Sequence, residues 1–248
     1  MKPVKVTCLG TGDAFSSGGR LNAAYLVEAP DARVLMEAGP AVLAGLKRAG
    51  VNPAELDLVL ISHLHGDHFA GLPFLMLDYL WQGAPRRRVV VAGPRGLRDR
   101  AERLMSTMYP RLDLGGLDRM IRFAELAPER RLRLQGVELR TMRVPHTRRD
   151  VSLALRLAVA GRSIVFSGDS RWTDRLASFS AGADLFLCEC SYYGSGHGDS
   201  HLDYETIVRH RAGFDVGRLV LTHLGREVLP RASRLKLETA RDGMIIRL

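Results

Sequence analysis

The stretch Ile61-Ser62-His63-Leu64-His65-Gly66-Asp67-His68 places three imidazoles and a carboxylate within six consecutive positions. Imidazole and carboxylate groups are good ligands for zinc and similar divalent ions. A ligand set that leaves one coordination position open can turn bound water into a nucleophile near neutral pH. The stretch therefore predicts a metal site whose remaining ligands come from elsewhere in the chain.

Three other segments carry a ligand-type side chain directly after a predicted strand, namely His146, Asp169 and His223. Strand ends that meet at one edge of a sheet can converge on one cleft. A single histidine at such a position is more often a hydrogen-bonded core residue than a ligand. Together with the loop from His63 to His68, however, the set comprises five histidines and two aspartates, which suffices for two metal ions that share a carboxylate.

Hydrophobic periodicity predicts the elements around these positions. Strands are predicted at residues 4–9, 24–28, 34–37, 56–62, 89–92, 120–124, 131–134, 137–144, 152–158, 163–167, 185–189, 219–222 and 244–247. Helices are predicted at residues 41–49, in the apolar run that ends at Trp81, and at 95–108, 174–180 and 202–211. Groups of strands with helices between them favour one layered α/β domain over residues 1–248, with two sheets covered by helices.

The composition is that of a globular protein, with 46% hydrophobic residues in 248. No apolar run approaches the roughly 18 residues of a membrane helix, and the amino terminus lacks a signal-peptide pattern, so a cytoplasmic protein without membrane contact is expected. Only three cysteines occur, which fits a reducing compartment. Cys188 and Cys190 are interpreted as buried strand residues rather than metal ligands.

The net charge of +9 comes from arginine clusters such as 86–88 and 148–149. A basic surface favours an anionic partner, either a phosphate ester or a nucleic acid. A solvated basic face is an equally good interpretation, because no aromatic residues lie between the arginines.

Five segments, in chain order, resemble the motifs of the metallo-β-lactamase-fold hydrolases: Glu37, the loop with His63, His65, Asp67 and His68, then His146, Asp169 and His223. The resemblance implies a four-layer αββα sandwich, two mixed β-sheets flanked by helices, with a dinuclear site at one edge. Glu37 stands where many relatives carry Asp and is expected to support the ligands without binding metal. The resemblance assigns His63, His65 and His146 to one ion and Asp67, His68 and His223 to the other, with Asp169 bridging. Zinc is expected, with manganese and iron as alternatives.

Within this superfamily the chain resembles ribonuclease Z and its phosphodiesterase relatives. The opening Leu9-Gly10-Thr11-Gly12 with Arg20 and Asn22 is similar to their first motif. The segment Leu187-Cys188-Glu189-Cys190-Ser191 resembles their His-Glu-Ala-Thr segment, with Cys188 in the place of that histidine. Ser200-His201-Leu202 resembles the later His-Ser-Thr segment.

In those relatives the glutamate and the second histidine work as a pair. The resemblance therefore implies that His201 protonates the leaving alkoxide of a phosphodiester and that Glu189 orients it. Asp67 is expected to hold the nucleophile. A structural alternative for His201 is a residue at the amino terminus of the helix near Asp203.

Enzymes that process transfer RNA carry a long arm, typically inserted between the motifs matched here by His146 and Asp169. Only residues 147–168 lie between them in this chain, which leaves no room for such an arm. A smaller or more accessible phosphodiester is therefore expected: a cyclic nucleotide, a nucleotide-derived ester or a cyclic ribose phosphate. Arg148 and Arg149 either contact its phosphate or are surface charges.

Other functions remain open at this point. The same metal ligands can support nucleophilic attack on a phosphorus or on a carbonyl carbon atom. A carboxylic ester, lactone or thioester hydrolase is therefore the main alternative. A ribonuclease or a non-catalytic RNA-binding protein is supported by the basic charge, and a di-iron redox protein is a more remote alternative. Relatives often form homodimers, and the apolar run from Phe74 to Trp81 can serve either an interface or the core.

Overall fold

The structure is a computed structural model, and it describes residues 3–194 and 200–248. Within these ranges the strands form two mixed sheets of seven strands each. In spatial order, the first sheet comprises β14 (Met244–Arg247), β1 (Lys5–Gly10), β2 (Ala24–Ala29), β3 (Ala32–Met36), β4 (Leu58–Leu60), β5 (Val89–Gly93) and β6 (Ile121–Glu125). The second comprises β13 (Glu238–Thr239), β12 (Leu219–Thr222), β11 (Leu185–Glu189), β10 (Arg162–Phe166), β9 (Ser152–Val159), β8 (Val137–Val144) and β7 (Arg131–Leu134).

Each sheet has an antiparallel half and a parallel half. Strands β14, β1, β2 and β3 pair antiparallel, whereas β3, β4, β5 and β6 pair parallel. In the second sheet β7 to β10 pair antiparallel and β10 to β13 pair parallel. The carboxyl ends of neighbouring parallel strands lie at one edge of their sheet, which is where such folds usually place functional residues.

Helices cover the outer face of both sheets. They are α1 (Val42–Arg48), α2 (Gly66–Phe69), α3 (Leu72–Trp81), α4 (Leu97–Met108), α5 (Leu117–Met120), α6 (Arg175–Ser180) and α7 (Tyr204–Arg209). The first five belong to the half of the chain that builds the first sheet, and α1, α3 and α4 bury apolar side chains against it. Helices α6 and α7 do the same on the second sheet.

The two inner faces form a common core. Because side chains alternate across a strand, Leu185 and Leu187 of β11 enter this core while Phe186 and Cys188 face the helices. The rings of Tyr25 and Phe166 meet across the sheets with centroids 5.2 Å apart. The buried hydroxyl of Tyr25 lies 2.7 Å from Thr222 Oγ1, so its polar end is also satisfied.

The predicted αββα architecture is confirmed, and most predicted strands agree within two residues. Strand β4 ends earlier than expected, because the amide of Ser62 donates to the carboxylate Oε1 of Glu37 instead of to a strand. Strand β13 and helices α2 and α5 were not predicted, since elements of two to four residues are too short to show a period.

Three further expectations concern the surface and the cysteines. Among the described residues, no helix combines the length and apolar character needed to cross a membrane. All three cysteines lie in the described ranges, buried and unbridged, as expected. Cys188 lies in β11, whereas Cys190 directly follows that strand and is not part of it. The apolar run in α3 packs mainly into the core, although Trp81 at its end is 69% exposed. The homodimer stays a prediction.

Candidate metal centre and active site

The first sheet contributes residues that follow β3 and β4. Glu37 is fully buried, with Oε1 accepting the amide of Ser62 and Oε2 3.2 Å from His68 Nδ1. Its φ of 62° is unusual for a residue with a side chain and is held by these contacts. With Nδ1 engaged by the carboxylate, Nε2 of His68 is directed into the site.

The loop after β4 turns directly into α2. His63 is buried beside its neighbour, with Nδ1 3.0 Å from Ser62 Oγ. His65 precedes the helix, and Asp67 and His68 lie in its single turn. Because the turn is compact, the donor atoms of several neighbouring residues lie close together in the site.

The second sheet supplies His146 and Asp169 from the opposite side. His146 follows β8, with Nδ1 2.7 Å from the carbonyl of Ser200 and Nε2 3.1 Å from His65 Nδ1. Asp169 follows β10 through Gly168, which has a φ of 60°. A Cβ atom on this glycine would lie 2.4 Å from the carbonyl oxygen of Leu153, so the close approach requires glycine.

His223 follows β12 in a left-handed conformation with a φ of 53°. Its Nδ1 lies 3.0 Å from Ser191 Oγ and its Nε2 lies 3.2 Å from Asp67 Oδ2. Ser191 thus holds one ring nitrogen of His223, and the other faces the site.

All seven predicted metal ligands converge. Nitrogens of His63, His65 and His146 lie within 4.8 Å of one another, as do ligand atoms of Asp67, His68, Asp169 and His223. Asp169 stands between the two groups. Its Oδ2 is 3.8 Å from His63 Nε2, 3.3 Å from His68 Nε2 and 3.5 Å from His223 Nε2.

The pattern of unsatisfied polar atoms fits bound cations. In the described part of the chain, His63 Nε2, His68 Nε2 and Asp169 Oδ1 are buried and have no hydrogen-bond partner. A buried polar group left unpaired costs about 1–3 kcal/mol. Three such atoms at the junction of the two groups are explained if they bind metal, so the donor set fits the expected ions.

The charge states of His63 and Asp67 suit metal binding. Burial lowers the pKa of His63 well below its ordinary value, which keeps the imidazole neutral. Burial opposes ionisation of Asp67, but the imidazoles of His223 and His68, each with Nε2 3.2 Å from its Oδ2, hold its pKa well below the usual range. Neutral imidazole and ionised carboxylate are the forms that bind metal ions. For His68 and His223 burial acts to lower the pKa, but the carboxylates of Asp169 and Asp67 raise it, so each imidazole would release a proton on binding an ion.

A buried acid lies beside this centre and contacts a histidine. Glu189, at the end of β11, accepts the amide of Ser170 at 2.6 Å, and its Oε2 lies 3.2 Å from His201 Nδ1. Burial alone would lower the pKa of His201, but the charge and hydrogen bond of Glu189, with the charge of Asp169, raise it to about 9. The imidazole is therefore protonated at neutral pH.

The histidine also lines a cavity of about 590 Å³ next to the centre. Its wall is completed by Asp13, Ala14, Phe15, Ser17, Ser191, Tyr192, His223, Gly225, Arg226 and Glu227. Arg148 and Arg149 are exposed and do not line it, which favours the surface-charge interpretation of this pair. A larger cleft of about 900 Å³ lies at the turn between β2 and β3, away from the histidines.

Sequence reasoning missed the residues that connect the site. Ser191 Oγ donates to Glu189 Oε2 at 2.9 Å and lies 3.3 Å from His201 Nδ1 as well as close to His223. It thus joins the acid, the histidine and a predicted ligand. Its place two residues after Glu189 was the available signal, but a serine in a loop is too common to stand out.

The comparisons with known proteins agree with this geometry. The family model described as "Anti-Pycsar protein Apyc1" matches residues 4–239. The "Probable metallo-hydrolase YhfI" of Bacillus subtilis is 26% identical over 227 residues, covering 89% of this chain and 87% of that protein.

A ribonuclease Z of Ignicoccus hospitalis is 26% identical over 268 residues, covering 90% of this chain and 88% of that protein. The crystal structure of the short form of human tRNase Z superposes with a TM-score of 0.79 at 24% identity, covering 98% of both chains. Since the family model spans nearly the whole sequence, the chain belongs to the family of the anti-Pycsar protein Apyc1, among the metallo-hydrolases of the metallo-β-lactamase fold.

Proposed function

We propose that the protein is a dinuclear, zinc-dependent phosphodiesterase that hydrolyses a small phosphodiester, such as a cyclic nucleotide, a nucleotide-derived ester or a cyclic ribose phosphate. The observation that carries this proposal is the pair formed by Glu189 and His201, which lines the cavity beside the metal ligands. A protonated imidazole is needed for a poor alkoxide leaving group and much less for an activated ester.

The metal ligands in this proposal follow the two groups of donor atoms. One ion would be held by His63, His65 and His146, the other by Asp67, His68 and His223, with Asp169 shared. Glu189 and His201 also lie within ligand distance of Asp169 and His223. We assign His201 to proton transfer because it lines the cavity that would hold the substrate, whereas His68, which also contacts a carboxylate through Nδ1, is fully buried.

Bound divalent ions would polarise the phosphoryl oxygens and lower the pKa of water. The ionised Asp67 accepts a hydrogen bond from the attacking water and directs its oxygen at phosphorus. As the new P–O bond forms, the attacking water releases a proton to solvent, the bond to the leaving oxygen breaks, and His201 gives that oxygen its proton through Nε2. Glu189 holds the resulting imidazole in place. His201 then takes up a proton from solvent for the next turnover.

The size of the substrate is inferred from the segment between His146 and Asp169. Residues 147–168 consist of a short loop and the antiparallel pair β9 and β10, so this position carries no arm that could hold a transfer RNA. A cavity of about 590 Å³ is within the range of small-molecule sites. The relation to proteins named ribonuclease Z supports phosphodiester chemistry.

The test combines metal analysis with a substrate panel. The purified protein is assayed on 3′,5′-cyclic nucleotides, a cyclic ribose phosphate, bis-p-nitrophenyl phosphate, a lactone, a thioester and RNA, before and after removal of metal by a chelator. We expect two zinc ions per chain and hydrolysis of the small phosphodiesters that chelation abolishes and zinc restores.

Two results would contradict the proposal. Preferential turnover of the lactone or thioester would make the protein a carboxylic ester hydrolase on the same ligands. Binding of RNA that weakens steeply with salt, without hydrolysis of any phosphodiester, would indicate a nucleic-acid-binding protein instead.

A further inference from the structure

Phe15 is the most exposed large apolar side chain in the described ranges, at 87%, and it lines the same cavity as His201 and His223. A single exposed apolar residue is ordinary on a protein surface. Phe15, however, lies in the wall of a cavity that also contains a proposed proton donor and a predicted metal ligand. A ligand bound in this cavity would therefore contact the ring.

The backbone that carries Phe15 is firmly held. The buried carboxylate of Asp13 accepts the amides of Phe15 at 3.2 Å and of Ser17 at 2.9 Å, and also the hydroxyl of Ser17 at 2.8 Å. Asn22 donates its side-chain amide to the carbonyl of Asp13. Ser16 adopts a φ of 51°, a conformation that needs such support. These hydrogen bonds fix the turn that exposes the ring of Phe15 to solvent.

The aromatic neighbours of the cavity lie around His201 rather than around Phe15. Tyr192, which lines the same cavity, packs edge-on against His201 with centroids 6.2 Å apart. Among the described residues no ring packs on Phe15, so both its faces can receive a flat partner. Arg226 is an exposed residue of the same cavity and offers a donor for the edge of such a partner.

We infer that Phe15 is a stacking platform for the nucleobase of a nucleotide substrate whose phosphodiester lies at the His/Asp centre. This inference rests on the proposed phosphodiesterase function and narrows it, because a cyclic ribose phosphate without a base has nothing to stack. Every nucleobase has a π-face, so Phe15 selects for the presence of a base rather than for its identity.

The experiment compares two substrates that differ only in the base. One is a 3′,5′-cyclic nucleoside monophosphate, and the other is the corresponding methyl riboside 3′,5′-cyclic phosphate, with a methoxy group in the place of the base. Both are assayed with the wild-type protein and with Phe15→Ala, Phe15→Trp and Trp81→Ala. Trp81 is the matched control, since it is an exposed aromatic residue in a different part of the fold.

Loss of one base–aromatic stack should raise KM for the nucleotide about tenfold, with little change in kcat. The ratio of kcat/KM between the two substrates should therefore fall about tenfold in Phe15→Ala, recover in Phe15→Trp and stay at the wild-type value in Trp81→Ala. An unchanged ratio in Phe15→Ala overturns the inference, whether both activities fall together or neither changes.

A separate readout covers failure of the proposed function. If the metal-loaded wild-type protein hydrolyses neither these two substrates nor any phosphodiester of the panel, the phosphodiesterase proposal is wrong. Stacking is then measured by calorimetric titration with a nucleoside 5′-monophosphate and with ribose 5-phosphate. Weaker binding of the nucleotide alone in Phe15→Ala, again by about tenfold, supports the platform. Equal affinities in the wild-type and Phe15→Ala proteins refute it.

Discussion

Oδ2 of Asp169 lies 3.3 Å from Nε2 of His68, although the two side chains come from different sheets. Asp169 follows β10 of the second sheet, and His68 lies in the turn after β4 of the first. The candidate centre therefore forms only when both sheets are packed together. Metal binding and the stability of the sandwich should be coupled for this reason.

Replacement of Asp169 by Asn should remove the shared carboxylate and lower the metal content below two ions per chain. We expect phosphodiester hydrolysis to fall by at least about 100-fold, because such ions supply several kcal/mol of transition-state stabilisation. Metal analysis and steady-state kinetics measure both effects. Asp31→Asn, an exposed carboxylate in the turn between β2 and β3, is the control. Two ions bound to Asp169→Asn at wild-type affinity would contradict the bridging role.

Replacement of His201 by Ala should distinguish substrates by their leaving group. Hydrolysis that expels an alkoxide should fall about 10²–10⁴-fold, whereas release of p-nitrophenolate should change far less, because a good leaving group needs no proton. His210→Ala is the matched control, since His210 stacks on Trp172 outside the centre. Equal losses on both substrates would show that His201 is not the acid.

The same residue predicts an alkaline limit on activity. Glu189 and Asp169 raise the pKa of His201 to about 9, so its acid form persists at neutral pH and is lost as the pH rises through that value. Hydrolysis of a substrate with a poor leaving group should therefore decline above about pH 9 in kcat/KM profiles. The decline should be absent for p-nitrophenyl esters, and its presence for both would point to another group.

Ser191 provides a test of how the acid and the metal ligands are held. Ser191→Ala removes the hydroxyl that contacts Glu189, His201 and His223. Loss of a partner that orients a metal ligand typically costs about 10–100-fold in metal affinity or activity. Titration with zinc should show this weakening, and Ser191→Thr, which keeps the hydroxyl, should restore most of it. Wild-type affinity in Ser191→Ala would limit the residue to a packing role.

Gly168 tests the backbone that delivers Asp169. In Gly168→Ala the new Cβ would lie 2.4 Å from the carbonyl oxygen of Leu153, in addition to the strain of a φ of 60°. We expect a loss of about 2–4 kcal/mol in the free energy of unfolding. Gly182→Ala is the control, because that glycine has a φ of 70° but no atom within 4 Å of the Cβ position. Similar melting temperatures for the two variants would contradict this account.

The predicted metal ligands were accessible to sequence reasoning because each follows a strand whose pattern is local. The loop from His63 to His68 carries its donors within one turn, so spacing alone suggests a shared ion. Most strands were likewise predicted, since apolar alternation reports burial on a sheet. The early end of β4 was not, because it depends on a carboxylate 25 positions away in the chain.

The loop from His63 to His68, with His146, Asp169 and His223, predicted metal chemistry. The order of strands and helices predicted a layered α/β domain, and the family resemblance implied the αββα sandwich. Donor type and local periodicity are written in consecutive residues and need no knowledge of long-range contacts. The tertiary structure alone decided that Ser191 joins three site residues, that His68 is the ligand which Glu37 supports, and that Phe15 faces the cavity. Those relationships depend on how the two sheets and distant loops pack together. The packing also determines which side-chain atoms are buried and which can contact a metal ion or a substrate.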